Sequence, residues 1–324
     1  MSSVLKMFFV CCLCVVILAL ELFAQRRLPK QGLHIKSTSP LIPPWETMET
    51  AWDYPKNPLT DSLMGNSYIA EQIKTGFLIF TNTPENAPRF SGNKLSCSNC
   101  HLNAGQKDKA MALVGIAGMY PEYNKRAGRL MTLEDRIVEC FMRSSNATAA
   151  IDSITTGAGY DPRNEVLPAT SSKEVLAVSA YLSWLSAGYP VGKKPAWRGQ
   201  NVLAQDKLIP IEKLDPKVGE RVYMDKCISC HGDDGQGVEI GDKKAGPLWG
   251  PNSWNDGAGA ARVYTLAGII RYMMPYLDPG NLSDEEAQHI AAFITSRPRP
   301  IYPFKDKDYP TEKLPIDAVY YQRR

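Results

Sequence analysis

The chain has 324 residues, 44% of them apolar and 22% charged, the balance of an ordinary globular protein with length enough for about two domains. Thirty-seven Lys and Arg stand against 34 Asp and Glu, a formal charge of +3. That is too small for a nucleic-acid partner, and charge is informative here only where it is locally concentrated.

The first element is a targeting segment. Lys6 precedes an apolar run over residues 7–20, and Glu21 interrupts it before Ala24. A membrane-spanning helix needs about 20 apolar residues, so the run reads as a secretory signal peptide (1–24) cleaved after Ala24. Leu22 occupies a position where a small residue is expected, which keeps an uncleaved membrane anchor as the second reading. Both place the folded part outside the cytoplasm, and no later stretch is long and apolar enough to span a bilayer.

Residues 25–56 are rich in proline and polar groups and predict an extended arm. Ile69, Ile73, Phe77 and Phe80 then recur at helical spacing. Thr132-Leu133-Glu134-Asp135 has the pattern of a capping box and predicts a second helix. A third opens with Ser171 and Glu174, buries Val175, Val178, Leu182 and Leu185, and ends near Gly188. Residues 191–214, rich in Pro, Gly and Lys, read as a linker between units 57–190 and 215–300. In the second unit Asp215-Pro216 opens a helix through Val222 and Tyr223. Ser283 and Glu286 form another capping box ahead of Ala287, Ile290, Ala291 and Ile294, and Pro298 and Pro300 end that helix. A tail follows from 301 to 324.

Cysteine usage carries the chemistry. Three of the eight cysteines (Cys11, Cys12, Cys14) lie in the N-terminal apolar run. Four of the others form Cys97-Ser98-Asn99-Cys100-His101 and Cys227-Ile228-Ser229-Cys230-His231, and the fifth is Cys140. Two cysteines three apart reach the vinyl groups on one haem edge, and the adjacent histidine then sits under the iron. A zinc half-site would need further ligand pairs, and a redox dithiol would not need the histidine twice. Two covalent haem c groups are therefore expected, on Cys97, Cys100 and His101 and on Cys227, Cys230 and His231. Helix, haem motif, loop, distal ligand and closing helix occur in that order twice. The expected fold is all-α, two class I cytochrome c-like domains in tandem, in the bacterial periplasm.

The sixth iron position separates electron transfer from chemistry. For the second haem the candidates are Met274, which directly precedes Pro275, and its neighbour Met273; the remaining role for either is core packing. The first unit has no comparable Met-Pro pair, but it has the unpaired Cys140, a candidate thiolate ligand or else a buried, inert thiol. On a helix Arg136, Cys140, Arg143 and Ser144 share an arc of roughly 100°. Two guanidinium groups beside a cysteine favour its thiolate and bind small oxyanions in a bidentate manner. Lys125, Arg126 and Arg129 add positive charge just ahead. His34 and His289 are expected to serve in solvated or capping roles.

With these residues in place the chain resembles the dihaem thiosulfate dehydrogenases and the related tetrathionate reductases. The likeness rests on Cys97 to Gln106, on Leu133-Glu134-Asp135-Arg136-Ile137 leading to Cys140 and Arg143-Ser144, on Gly246-Pro247-Leu248-Trp249-Gly250-Pro251, and on Met274-Pro275. The resemblance implies His101/Cys140 ligation at a catalytic first haem and His231/Met274 ligation at an electron-exit haem. It also implies an anion site of Gln106, Arg126, Arg136 and Ser144. The implied reaction joins two thiosulfate ions into tetrathionate, with electrons passing to an external acceptor such as a small cytochrome or an iron-sulfur protein. A dihaem peroxidase and a plain electron-transfer subunit are the rival readings. Where some relatives carry a lysine beside the methionine, this chain has Met273.

Overall fold

The computed structural model describes residues 56–148, 167–240 and 243–322. The signal segment, His34 and all but the last residue of the proline-rich arm lie outside the described residues. Among the described residues the longer helices of the first half are α1 (Tyr68–Thr81), α2 (Leu133–Arg143) and α3 (Lys173–Leu185). Those of the second are α4 (Pro216–Lys226), α5 (Val263–Met273) and α6 (Asp284–Thr295). Two small antiparallel ribbons are additions to the helical plan, β1 (Glu122–Asn124) with β2 (Arg129–Met131) and β3 (Glu239–Ile240) with β4 (Lys243–Lys244). The helices carry the cores. Among the described residues none is long and apolar enough to cross a membrane.

The helix starts follow local chemistry. The Thr132 hydroxyl accepts from Asp135 N while Asp135 accepts from Thr132 N, the reciprocal capping box expected for α2. Ser283 and Glu286 do the same for α6, and Asp215 caps α4 through Lys217 N. α3 departs from expectation. Its N-cap is Ser172 rather than Ser171, and Glu174 instead pairs with Arg89 through two hydrogen bonds of 2.9 and 2.6 Å. Ile69 also departs: it is 61% exposed, because α3 meets α1 about two turns later, at Gly76.

Each half hangs on one helix crossing. α1 packs across α3, and α4 across α6. A methyl group on Gly76 would lie 2.0 Å from the Ala177 carbonyl oxygen, and one on Gly219 would lie 1.9 Å from the His289 carbonyl oxygen. Only glycine lets the two backbones touch. Four residues after each glycine an aromatic ring fills the space below the crossing. Phe80 packs on Tyr181 with ring centroids 5.6 Å apart, and Tyr223 on Phe293 at 5.3 Å. His289 caps rather than ligates, its Nδ1 accepting from Asp215 N at 3.0 Å.

The halves are joined by polar contacts that would be costly to break. α2 ends in carbonyls without helical partners, and a loop of the second half supplies donors: Asn255 Nδ2 to Met142 O at 2.9 Å and Asn255 N to Arg143 O at 3.1 Å. Asn93 Nδ2 bridges Ser144 O and Ser253 O. The chain beyond 301 is a strap over both halves. Asp308 takes Arg143 Nη1 and Nη2 at 2.9 and 2.7 Å, Tyr321 donates to Asp308, and Asp317 accepts from Tyr264 N at the start of α5. A third apolar cluster, Leu102, Ala110 and Met273, seals the haem-motif loop of the first half against the end of α5.

Helix propensity alone favours alanine over glycine by about 1 kcal/mol, yet Gly219→Ala is expected to destabilise by about 1–3 kcal/mol through the forced separation of α4 from α6. A lowered denaturant midpoint at unchanged slope is the readout; stability at or above the starting value would disprove the contact. Asp308→Asn removes the charge opposite Arg143 (both side chains are 5% exposed) and is expected to cost about 3 kcal/mol. An unshifted thermal midpoint would mean that Glu139 alone suffices.

Candidate active site and haem centres

The first motif is held by side chains that bind backbone. Ser96 N donates to Asn99 Oδ1 at 2.7 Å, and His101 N closes a turn on Cys97 O at 2.9 Å. Asn103, Ala104 and Gly105 then all have positive φ, which reverses the chain beneath the motif. That turn is unfavourable for Asn103 and Ala104, and the Tyr181 hydroxyl holds it by donating to Ala104 O at 2.7 Å. His101 Nδ1 lies 2.7 Å from Met111 O. A carbonyl only accepts, so Nδ1 carries the hydrogen and Nε2 keeps its lone pair for a metal. Burial brings the His101 pKa down to about 4, so the ring is neutral at physiological pH.

The second motif reaches the same end with different parts. Gly232, Gly235 and Gly237 have φ of 74°, 69° and 84° and form the turn expected after His231. Here the phenol comes from the entry helix: Tyr223 donates to Gly232 O at 2.6 Å. Burial lowers the His231 pKa as well. The Gly246 backbone lies near enough to favour its charged form, but Nδ1 forms no hydrogen bond of full geometry.

None of the four motif cysteines is in a disulfide. Near them, two buried donors have no partner among the described residues: Asn103 Nδ2 and Trp254 Nε1. An unpartnered buried donor costs about 1–3 kcal/mol, so these atoms mark places shaped for a group the polypeptide does not supply. Thiol pairs at thioether spacing, neutral imidazoles and waiting donors fit two haem c groups. The motifs are also close together. A methyl group on Gly246, beside His231, would lie 2.5 Å from Leu95 and 3.2 Å from Asn99 of the first motif.

Cys140 lies within electrostatic reach of the first motif. Its sulfur acts electrostatically on Cys97, Cys100, Tyr120 and Arg136. The sulfur pushes the Arg136 guanidinium above the ordinary arginine range, and Arg136 in turn lowers the pKa of His101. Among the described residues Arg136 has no ion pair. Tyr120, its phenol pushed up to about 12 by burial, and Arg198, held by Glu122 at 3.2 Å, complete the surroundings. Neither was legible in the sequence, because both come from loops remote from Cys140 and carry no pattern.

The other arginines have partners. Arg143, expected to share the work of Arg136, is engaged by Asp308, by Glu139 at 2.5 Å and by the Gly257 carbonyl at 3.0 Å, with its guanidinium 4.0 Å from the Tyr302 ring centre. It clamps the strap and is not free to bind an anion. Arg129 pairs with Asp135. Arg126 Nη1 donates to the same Gly257 carbonyl at 2.9 Å, on the Arg143 side of α2. Ser144 follows α2 directly; its carbonyl accepts from Asn93, and its hydroxyl has no bond among the described residues. Gln106 is 1% exposed, with its amide bonded to Lys56 N and O at 2.6 and 2.7 Å. The structure thus brings Cys140 and Arg136 to the first motif, sets Ser144 and Arg126 beside the end of α2, and uses Gln106 to hold the chain at Lys56.

On the other side, Met273 is the last residue of α5 and is 1% exposed in the apolar cluster with Leu102 and Ala110. Met274 is the first residue after the helix, half-buried between that cluster and the second core.

Residues 87–191 match the SoxA/TsdA cytochrome c domain family, and residues 215–294 match cytochrome c oxidase, cbb3-type, subunit III. A thiosulfate dehydrogenase from Allochromatium vinosum is 36% identical over 74% of this chain and 83% of its own length. One from Stutzerimonas stutzeri is 35% identical over 76% and 73%. The solved thiosulfate dehydrogenase (TsdBA) from Marichromatium purpuratum superposes with a TM-score of 0.64 at 30% identity; the match covers 74% of this chain and 49% of that longer one. Two tandem cytochrome c domains and relatedness along most of both chains lead to one conclusion: this chain is a haem c enzyme of the thiosulfate dehydrogenase family.

Proposed function

We propose that the chain oxidises two thiosulfate ions to one tetrathionate at the first haem domain and delivers the electrons through the second. The observation that carries this reading is the nearness of Cys140 to Arg136, an arginine with no carboxylate partner among the described residues, both within electrostatic reach of the first motif. His101 and Cys140 would hold the first haem, and His231 and Met274 the second. When bound, each haem accepts one electron, so the pair stores the two that one tetrathionate releases.

The polypeptide does the rest. Thiosulfate is a dianion, and two must meet despite mutual repulsion. Arg136 offsets that charge in a site shielded from water, where Coulomb attraction is several-fold stronger than in bulk solvent. Ser144 offers a hydroxyl and Arg126 a second guanidinium at the end of α2, while Gln106 keeps the segment at Lys56 in place. The Cys140 thiolate and the first thiosulfate join through a new S–S bond, giving Cys–S–S–SO3⁻ and releasing two electrons. The sulfur of the second thiosulfate attacks the outer sulfur of that adduct, as in thiol–disulfide exchange. Tetrathionate forms, the S–S bond to Cys140 breaks, and the thiolate returns. Charge and sulfur balance in both steps.

The same groups serve the reverse reaction, and the relation between the two haem potentials and that of the acceptor sets the direction. The acceptor is a small cytochrome or an iron-sulfur protein outside the cytoplasm, reached after export through the N-terminal apolar segment.

Cys140→Met is expected to retain two haems per chain while turnover falls at least a hundredfold, read by anaerobic addition of thiosulfate to the oxidised protein. Near-normal reduction would eliminate the adduct. Arg136→Gln removes a charged hydrogen-bond donor worth about 1.5–3 kcal/mol, so kcat/KM should drop roughly 10- to 100-fold. The same variant should also flatten the dependence of rate on ionic strength; an unchanged salt profile would place the anion elsewhere.

A further inference from the structure

Lys107 belongs to the loop between His101 and Met111, but its side chain leaves the first domain. It is 4% exposed. Nζ donates to Tyr276 O at 3.3 Å and sits 4.4 Å from the centre of the Tyr276 ring. Among the described residues no carboxylate pairs with it. Tyr276 in turn packs on an apolar cluster made from both halves: Leu102, Ala110 and Met111 on one side, and Ile269, Met273 and Met274 on the other. Burial in this setting lowers the Lys107 pKa.

A buried ammonium offset only by one carbonyl and one ring is costly. An apolar side chain of similar length would seal the same interface as well or better. Simple packing therefore does not account for the charge. Its position does: Tyr276 follows Met274 by two residues, at most about 7 Å of chain. A fixed positive charge in a medium of low dielectric favours the reduced form of a nearby redox group.

We infer that Lys107 is a redox-tuning residue: the first domain delivers its ammonium to the Met274 loop, where it raises the potential of the second haem and so draws electrons across the domain interface. The inference rests on the reading that Met274 lies over that haem. It assigns the interface an electrostatic role in addition to its packing.

The test is a redox titration of the purified two-haem protein, with the two haems told apart by their thioether and thiolate spectroscopic signatures. Lys107→Met, of nearly equal volume, should lower the midpoint potential of the second haem and lower that of the first by less. Lys107→Arg, which keeps the charge, should hold both near their starting values. If Lys107→Met does not accumulate as folded protein, Lys107→Gln keeps a donor for the Tyr276 carbonyl and is read in the same way. An unmoved second potential in the neutral variants, a shift confined to the first haem, or an equal fall in Lys107→Arg would overturn the inference. Met274→Ala separates the two readings. Loss of the thioether signature supports the ligand assignment, whereas its persistence sinks that assignment and leaves the Lys107 shift to be read on whichever haem the second motif holds.

Discussion

At Gly76 and Gly219 two helices in each half approach until backbone meets backbone. No other contact fixes so much. The closeness sets where the entry helix ends, and the haem motif follows directly in the second half and after a short insertion in the first. The aromatic residues one turn on, Phe80 and Tyr223, lock the crossing from below. Phenols of the same layer, Tyr181 and Tyr223, then hold the turns after the two histidines through Ala104 O and Gly232 O. The haem pockets are thus suspended from the crossings by a chain of packing and hydrogen bonds.

Charge is distributed by the same economy. Several arginines lie in and around α2, but they are not equivalent. Arg129 is neutralised by Asp135, and Arg143 by Asp308 and Glu139, while Arg126 is held by a carbonyl. Arg136 alone of these directs its charge at the Cys140 sulfur. These contacts hold the end of α2 in place and neutralise Arg129 and Arg143. A cluster of four free guanidinium groups would hold a dianion tightly without orienting it toward the sulfur.

The interface between the halves also belongs to the working parts. Asn255 finishes α2, the helix of Cys140, with hydrogen bonds from the other domain, and Gly246 lets the surroundings of the second histidine approach Asn99 of the first motif. Lys107 crosses the same boundary in the opposite direction. Each domain therefore completes a feature of its neighbour.

Much of this was legible in the chain. The two Cys-x-x-Cys-His runs define local chemistry over five residues, and covalent geometry leaves little else they could hold. The capping boxes at Thr132 and Ser283 and the apolar periodicity of α3 and α6 are likewise short-range, so the sequence contains them in full. The place of Cys140 on a helix beside Arg136 followed from a 3.6-residue period alone. What could not be read are relations between residues far apart: the pairing of Arg143 with Asp308, the partnership of Gln106 with Lys56, the exposure of Ile69, and the arrival of Tyr120 beside Cys140. Arg136 and Arg143 share one helical face in sequence, but Arg143 has Glu139 one turn before it and gains Asp308 from the strap beyond residue 301, whereas among the described residues Arg136 pairs with no carboxylate. Local order was set by the chain itself; the charge left over at the site was decided by tertiary contacts, because electrostatic energy depends on distance in space rather than on separation in sequence.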